Sequence, residues 1–170
     1  QLSAERLKLK LETKLNETDA LMLNRSTQMI INQVQAMKRM VNEFSEYARM
    51  PAPELISLDL NALIYEVLGL YEASAAKILV QLEADLPPVL GDSTQLRQVI
   101  HNLLRNAEDA QEHSEAPEIR VETQQNNGRA HLLIADKGSG FPADILPRIF
   151  EPYVTTKSGG TGLGLAIVKK

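Results

Sequence analysis

Between residues 30 and 48 apolar side chains recur at alternating steps of four and three: Ile30, Val34, Met37, Val41, Phe44 and Ala48. That spacing predicts a helix with a narrow a/d seam, the kind that coiled coils and four-helix bundles use. Upstream, Ala4, Leu7, Leu11 and Leu15 step in the same way, and polar capping groups from Asn16 to Asp19 mark a turn between two helices. Residues 1–50 contain neither glycine nor proline. They therefore read as an antiparallel helical hairpin. A hairpin of this length buries little by itself, so pairing with a second copy into a four-helix bundle is favoured over packing against the chain's own second half.

The prolines of MPAP, at 51 and 53, end the helix and set a boundary, with residues 51–57 as a linker. Beyond it, strand-like and helix-like stretches alternate. ISLDL is a short strand, and Asn61 is a candidate cap for a helix through NALIYEVLGLYEASAAK. Val80, Leu82, Ala84 and Leu86 alternate as a strand does. Asp92, Ser93 and Thr94 supply caps for the helix STQLRQVIHNLLRNAEDAQ, whose predicted core face is Leu96, Val99, Ile100, Leu103, Ala107 and Ala110. Ile119, Val121 and Thr123 alternate, and NNG at 126–128 turns the chain into AHLLIAD as a hairpin. Helices segregated from a largely antiparallel sheet define an α+β fold, here an α/β sandwich over 58–170.

Composition changes this picture little. The chain has 170 residues, 44% hydrophobic and 24% charged, as expected of a folded chain. A net charge of −4 offers no general attraction to nucleic acid or to an acidic membrane, so an anion has to be held by local geometry. With no cysteine, disulfides and thiolate zinc sites are excluded. No apolar run reaches the roughly 18 to 20 residues needed to span a bilayer.

Three stretches carry candidate chemistry. Asn102, Asn106 and Asp109 form a polar ridge along the helix, and asparagine is a poor helix former that calls for a reason. The ridge is either a solvated face or a set of oxygen donors for a hard cation such as Mg²⁺. DKGSG, Asp136 to Gly140, follows an apolar strand. There Asp136 either caps a turn or accepts a hydrogen bond from an exocyclic amine, and Gly138 and Gly140 allow close approach or positive φ. Finally, GGTGLGLAIVKK places four of the nine glycines before a helix-forming run. That is either a hinge or a loop whose backbone N–H groups hold phosphates, with Lys157 upstream as a further cation.

The order of these stretches resembles the ATP-binding domain of sensor histidine kinases, within the GHKL (Bergerat) superfamily that also holds gyrase B, Hsp90 and MutL. NLLRNAEDA looks like the N box, DKGSG the G1 box, RIFEPY the F box and GTGLGL the G2 box. The hairpin resembles the dimerisation and phosphotransfer domain of those kinases. AMKRMVNEFSEYARMP and FEPYVTTKSGGTGLGLAIVKK look most like the nitrogen-regulation, NtrY-type members.

The resemblance implies ATP and Mg²⁺ as ligands. Asn106 would bind the Mg²⁺ that bridges the phosphates, beside Asn102. Asp136 would take the adenine amino group, with Gly138 and Gly140 bordering the base. Residues 141–160 would be a mobile lid anchored by Phe150 and Tyr153. Lys157, Gly160, Thr161, Gly162 and Gly164 would face the phosphates, and Leu163 and Leu165 would pack the helix down. Asp109 departs from members with a basic residue near that point and is given no phosphate role.

The resemblance further implies a homodimer through residues 1–50, a response-regulator receiver domain as partner, and placement as the cytoplasmic part of a membrane-bound sensor. It implies neither nucleic-acid binding nor direct membrane contact by these residues. His101, His113 and His131 do not match the family's H-E-x-x-N-P acceptor motif. The expectation is that the segment starts just past its acceptor histidine, stops before the last strand or strands of the sheet, and does not phosphorylate itself. A non-catalytic, dimeric nucleotide-sensing module is the rival reading.

Overall fold

The computed structural model describes Arg6, Leu11 and residues 15–49, 51–157 and 160–169. Contacts divide the chain into two compact units, Gln1–Met50 with Thr156–Thr161, and Pro51–Thr155 with Gly162–Lys170.

In the first unit a 33-residue helix, α1, runs from Glu17 to Arg49. It starts where the polar cluster predicts: Asn16 Oδ1 accepts the Asp19 N–H at 2.9 Å and caps the first turn. The described seam positions Ile30, Val34, Met37, Val41 and Phe44 are 40–62% exposed. The expected first arm of the hairpin lies outside the described residues apart from Arg6 and Leu11, both helical.

The second unit contains β1 (Ile56–Leu58), α2 (Leu60–Leu68), β2 (Lys77–Gln81), β3 (Val89–Gly91), α3 (Ser93–Asp109), β4 (Glu118–Asn126), β5 (Arg129–Asp136) and the short α4 (Gly164–Lys169). Strands β1 and β3 pair antiparallel as a separate ribbon, Ser57 opposite Leu90. The larger sheet has the order β2-β4-β5, with β2–β4 parallel and β4–β5 antiparallel. The β4–β5 turn is Asn127-Gly128, with φ of 51° and 74°, the positive values a two-residue hairpin loop requires.

Leu60, Leu63, Ile64 and Val67 from α2, Ile100, Leu104 and Ala107 from α3, and Ile119 and Val121 from β4 form one core. Alternation along β4 puts Ile119, Val121 and Thr123 inward, as predicted. On α3 the inward leucine is Leu104, fully buried, whereas Leu103, placed in the core by the sequence reading, is half-buried.

Two other expectations are corrected. The cap of α2 is Asp59, whose Oδ1 accepts the Ala62 N–H at 3.0 Å. Asn61 lies inside the helix and serves tertiary structure: its Nδ2 donates to the Glu83 carbonyl, and its Oδ1 accepts from the Thr123 hydroxyl. The helix also stops at Leu68, passing through a 3₁₀ turn at Gly69–Tyr71 well before Lys77. Strand β2 accordingly falls earlier than the Val80–Leu86 alternation predicts: Ile78 is half-buried, while Val80 is exposed.

Candidate functional site

Helix α3 is the backbone of the site. Asp92 caps it, accepting the N–H groups of Thr94 and Gln95 through Oδ1 and that of Glu54 through Oδ2. These bonds, the one from Glu54 foremost, hold the Asp92 carboxyl below the usual carboxylate range. Asn102, on the ridge, is buried at 7% exposure, and its Nδ2 lies 3.5 Å from the Gly164 carbonyl oxygen. Asn106 is half-buried and Asp109 exposed.

Gly164, the first residue of α4, faces this ridge. A Cβ on it would sit 3.7 Å from Asn106 Nδ2, 3.9 Å from Asn102 Cγ and 4.0 Å from Arg105 Nη2. Three α3 side chains thus converge on the backbone of the glycine loop. Leu163 is fully buried beneath it, Ala166 and Ile167 are buried, and Leu165 is half-buried, so the short helix is held by one apolar face. Gly162 has φ 69°, and a Cβ there would lie 2.5 Å from the carbonyl carbon of Tyr153. Tyr153 N–H donates to the Gly162 carbonyl at 3.0 Å, closing the neck of the intervening segment. Tyr153 itself has φ 68°. Phe150 and Tyr153, expected as apolar anchors, are exposed.

The second loop is seated at the far end of the same helix. Asp136 is exposed, not buried as its place after an apolar strand suggested, and its Oδ1 accepts the Gly138 N–H at 2.7 Å. One carboxylate oxygen therefore closes the turn, and an ionised carboxylate has a second oxygen that can accept. A Cβ on Gly138 would come within 2.6 Å of Ala110 Cβ and 2.8 Å of the Ala110 carbonyl oxygen, so the loop lies flat on the end of α3. Gly140 has φ 70° and open space around it. Buried Gln111 completes the seat. Its Nε2 donates to the carbonyls of Ala107 and Glu118, and its Oε1 accepts the Glu118 N–H. Lys137, inside the loop, pairs with Glu118 at 2.8 Å and draws that carboxyl below its ordinary range.

Lys157, Gly160 and Thr161 group with the first unit, where the Gly160 N–H donates to the Lys157 carbonyl at 3.1 Å. Of the histidines, His101 packs on Tyr71 with ring centroids 5.8 Å apart, and His113 and His131 are exposed in a turn and on β5. On the side of α3 next to the asparagine ridge a cavity of about 360 Å³ is bordered by Tyr71, Ser74, His101, Arg105 and Glu108. Arg105 thus reaches both the cavity and the glycine loop. Arg105 is not among the residues its sequence stretch singles out, although 102, 105, 106 and 109 follow the i, i+3, i+4, i+7 spacing of one helix face.

The described residues include no cluster of three or more His, Cys, Asp or Glu able to hold a metal by themselves. The half-buried Asn106 has an amide oxygen of the hard type Mg²⁺ takes, and that ion keeps waters and needs few protein oxygens.

Residues 91–170 match the histidine kinase-, DNA gyrase B-, and HSP90-like ATPase family. The chain is 37% identical to nitrogen regulation protein NtrY of Azorhizobium caulinodans, over all of its own length and 23% of that protein. Among solved structures, the catalytic domain of histidine kinase ThkA aligns at 30% identity and a TM-score of 0.61, covering 68% of this chain and 78% of that one. Full-length ShkA in complex with AMPPNP aligns at 25% identity and a TM-score of 0.65, covering 98% of this chain and 39% of that one. The chain belongs to the sensor histidine kinases of two-component signalling, and carries their GHKL ATPase domain. It spans about a quarter of the length of the curated relatives it matches. No helix among the described residues is long and apolar enough to cross a membrane.

Proposed function

We propose that this chain binds Mg·ATP between the α3 ridge, the Asp136–Gly140 loop and the glycine loop before α4. In the whole protein it would donate the γ-phosphoryl group to a histidine, from which it passes to an aspartate of a response regulator. The observation that carries the reading is the convergence of Asn102 and Asn106 on the Gly164 backbone. Neutral amides facing bare main chain are suited to a phosphate-borne cation on one side and phosphate oxygens on the other. Asn106 would hold the Mg²⁺, and Asp136 would offer its second carboxylate oxygen to the adenine amine while Oδ1 keeps the loop closed. The AMPPNP complex of ShkA supports a nucleotide in the corresponding domain. Positioning and electrostatics carry such a transfer, so the rigid seats of both loops on α3 are the relevant asset.

The chain acts as a homodimer through residues 1–50. It is read as the cytoplasmic part of a membrane-bound sensor, with the acceptor histidine supplied from outside these 170 residues. Calorimetric titration with ATP, with and without Mg²⁺, tests the site against an Asp136→Ala control. Mg²⁺-sensitive binding that the control loses is expected. A folded chain that binds no ATP sinks the reading.

A further inference from the structure

Of the three side chains nearest the missing Cβ of Gly164, two are neutral amides and one, Arg105, carries a charge. Arg105 stands one residue before Asn106 and three after Asn102, so helix geometry aims it at the same loop. Its Nη2 lies 4.0 Å from that Cβ position, within the reach of a small shift in a long side chain. The cavity beside it leaves room for such a shift. One turn further along the face, Asp109 contributes negative charge. Glu108, the acid three residues on, has one oxygen engaged by the Ser74 hydroxyl at 2.5 Å.

Resting on the nucleotide reading above, we propose that Arg105 is the residue that distinguishes triphosphate from diphosphate, its guanidinium binding the terminal phosphate oxygens at the mouth of the glycine loop. A guanidinium presents a planar fork that matches two phosphate oxygens, which a lysine ammonium does not. A merely structural role, bracing the cavity wall, predicts instead that all adenine ligands suffer together.

The test titrates the unaltered chain, Arg105→Met and Arg105→Lys with Mg·ATP, Mg·ADP and adenosine at two salt concentrations, with circular dichroism to confirm that each variant folds. Arg105→Met, which keeps the apolar stem, should weaken ATP at least about tenfold, the scale of one lost charge-assisted contact. ADP should weaken less and adenosine not at all, and the salt dependence of ATP binding should become shallower. Arg105→Lys should recover part of the loss. Equal losses for ATP, ADP and adenosine, or none for any of them, overturn the assignment while the unaltered chain still binds ATP. If the unaltered chain itself binds no ATP, the nucleotide reading fails and this assignment with it.

Discussion

Gly138 and Gly91 show how the same absent atom can matter in different ways. Each lacks room for a methyl group, and neither has positive φ. At Gly91 the nearest obstacle, 2.6 Å away, is the Cδ1 tip of Leu96, which can swing aside. At Gly138 it is Asp136 Oδ1 together with the Cβ and carbonyl oxygen of Ala110, and the Ala110 atoms cannot yield without the loop lifting from α3. Gly138→Ala should therefore cost about 1–3 kcal/mol as an overpacked site, and Gly91→Ala under about 1 kcal/mol. Only the first should also weaken ATP, because it displaces the Asp136 carboxylate that Gly138 N–H holds. Urea unfolding and nucleotide titration of the two variants check both halves. Equal stability losses would show that backbone and side-chain neighbours yield alike.

At the scale of elements, Tyr71 joins the 3₁₀ turn after α2 to the middle of α3, its hydroxyl donating to the His101 carbonyl at 3.1 Å. Burial, reinforced by the charges of Glu108 and Asp109 and opposed by Arg105, pushes the phenol from 10.0 to about 12. A raised phenol pKa means that the folded state favours the neutral form. Its stabilising contribution is complete below pH 10 and is lost as pH rises from 10 to about 12. Tyr71→Phe should cost about 0.5–1.5 kcal/mol at neutral pH, the usual worth of one hydrogen bond, and should flatten the alkaline limb of the stability curve. Thermal unfolding of both proteins between pH 7 and 11.5 measures this. An unchanged alkaline slope in the variant would place the ionisation elsewhere.

The caps and turns of these elements were legible where a short polar stretch had one local task, as at Asn16 and Asn127-Gly128. They were not legible where two such groups competed. Asp59 and Asn61 are both cap residues, and Asn61 went to tertiary structure because Glu83 and Thr123, far away in sequence, offered it partners. Likewise Leu103 and Leu104 are equally apolar, and only the docking of α2 and β4 decides that Leu104 faces inward. For the site, the spacing of Asn102 and Asn106 was readable. The tight seat of Gly138 on Ala110 was not, since it needs the coordinates of a neighbour 28 residues away. Gln111 was missed for the same reason: its partner Glu118 becomes a partner only when β4 folds back along α3.

For the whole molecule the open account is α1. A 33-residue helix is about 50 Å long, and its seam positions Val34, Met37, Val41 and Phe44 remain 40–62% exposed along one stripe. Water contact along a continuous apolar stripe is unfavourable by roughly 25 cal/mol for each Å² left uncovered. The four-and-three spacing suits knobs-into-holes packing better than contact with a flat sheet, which makes a second copy the natural cover. The chain should accordingly sediment as a dimer that dissociates on dilution. Val34→Glu with Val41→Glu would bring four carboxylates into the shared seam, with a penalty of several kcal/mol for each one buried unpaired, so the double variant should sediment as a monomer. The second unit has its own core, built from α2, α3 and β4, so the Mg·ATP binding proposed for it should survive in that monomer. Sedimentation velocity across a concentration series, paired with ATP titration of the same samples, separates the two properties. A double variant that remains dimeric would move the interface off the seam. A monomer that loses ATP binding would show that the site depends on the partner copy.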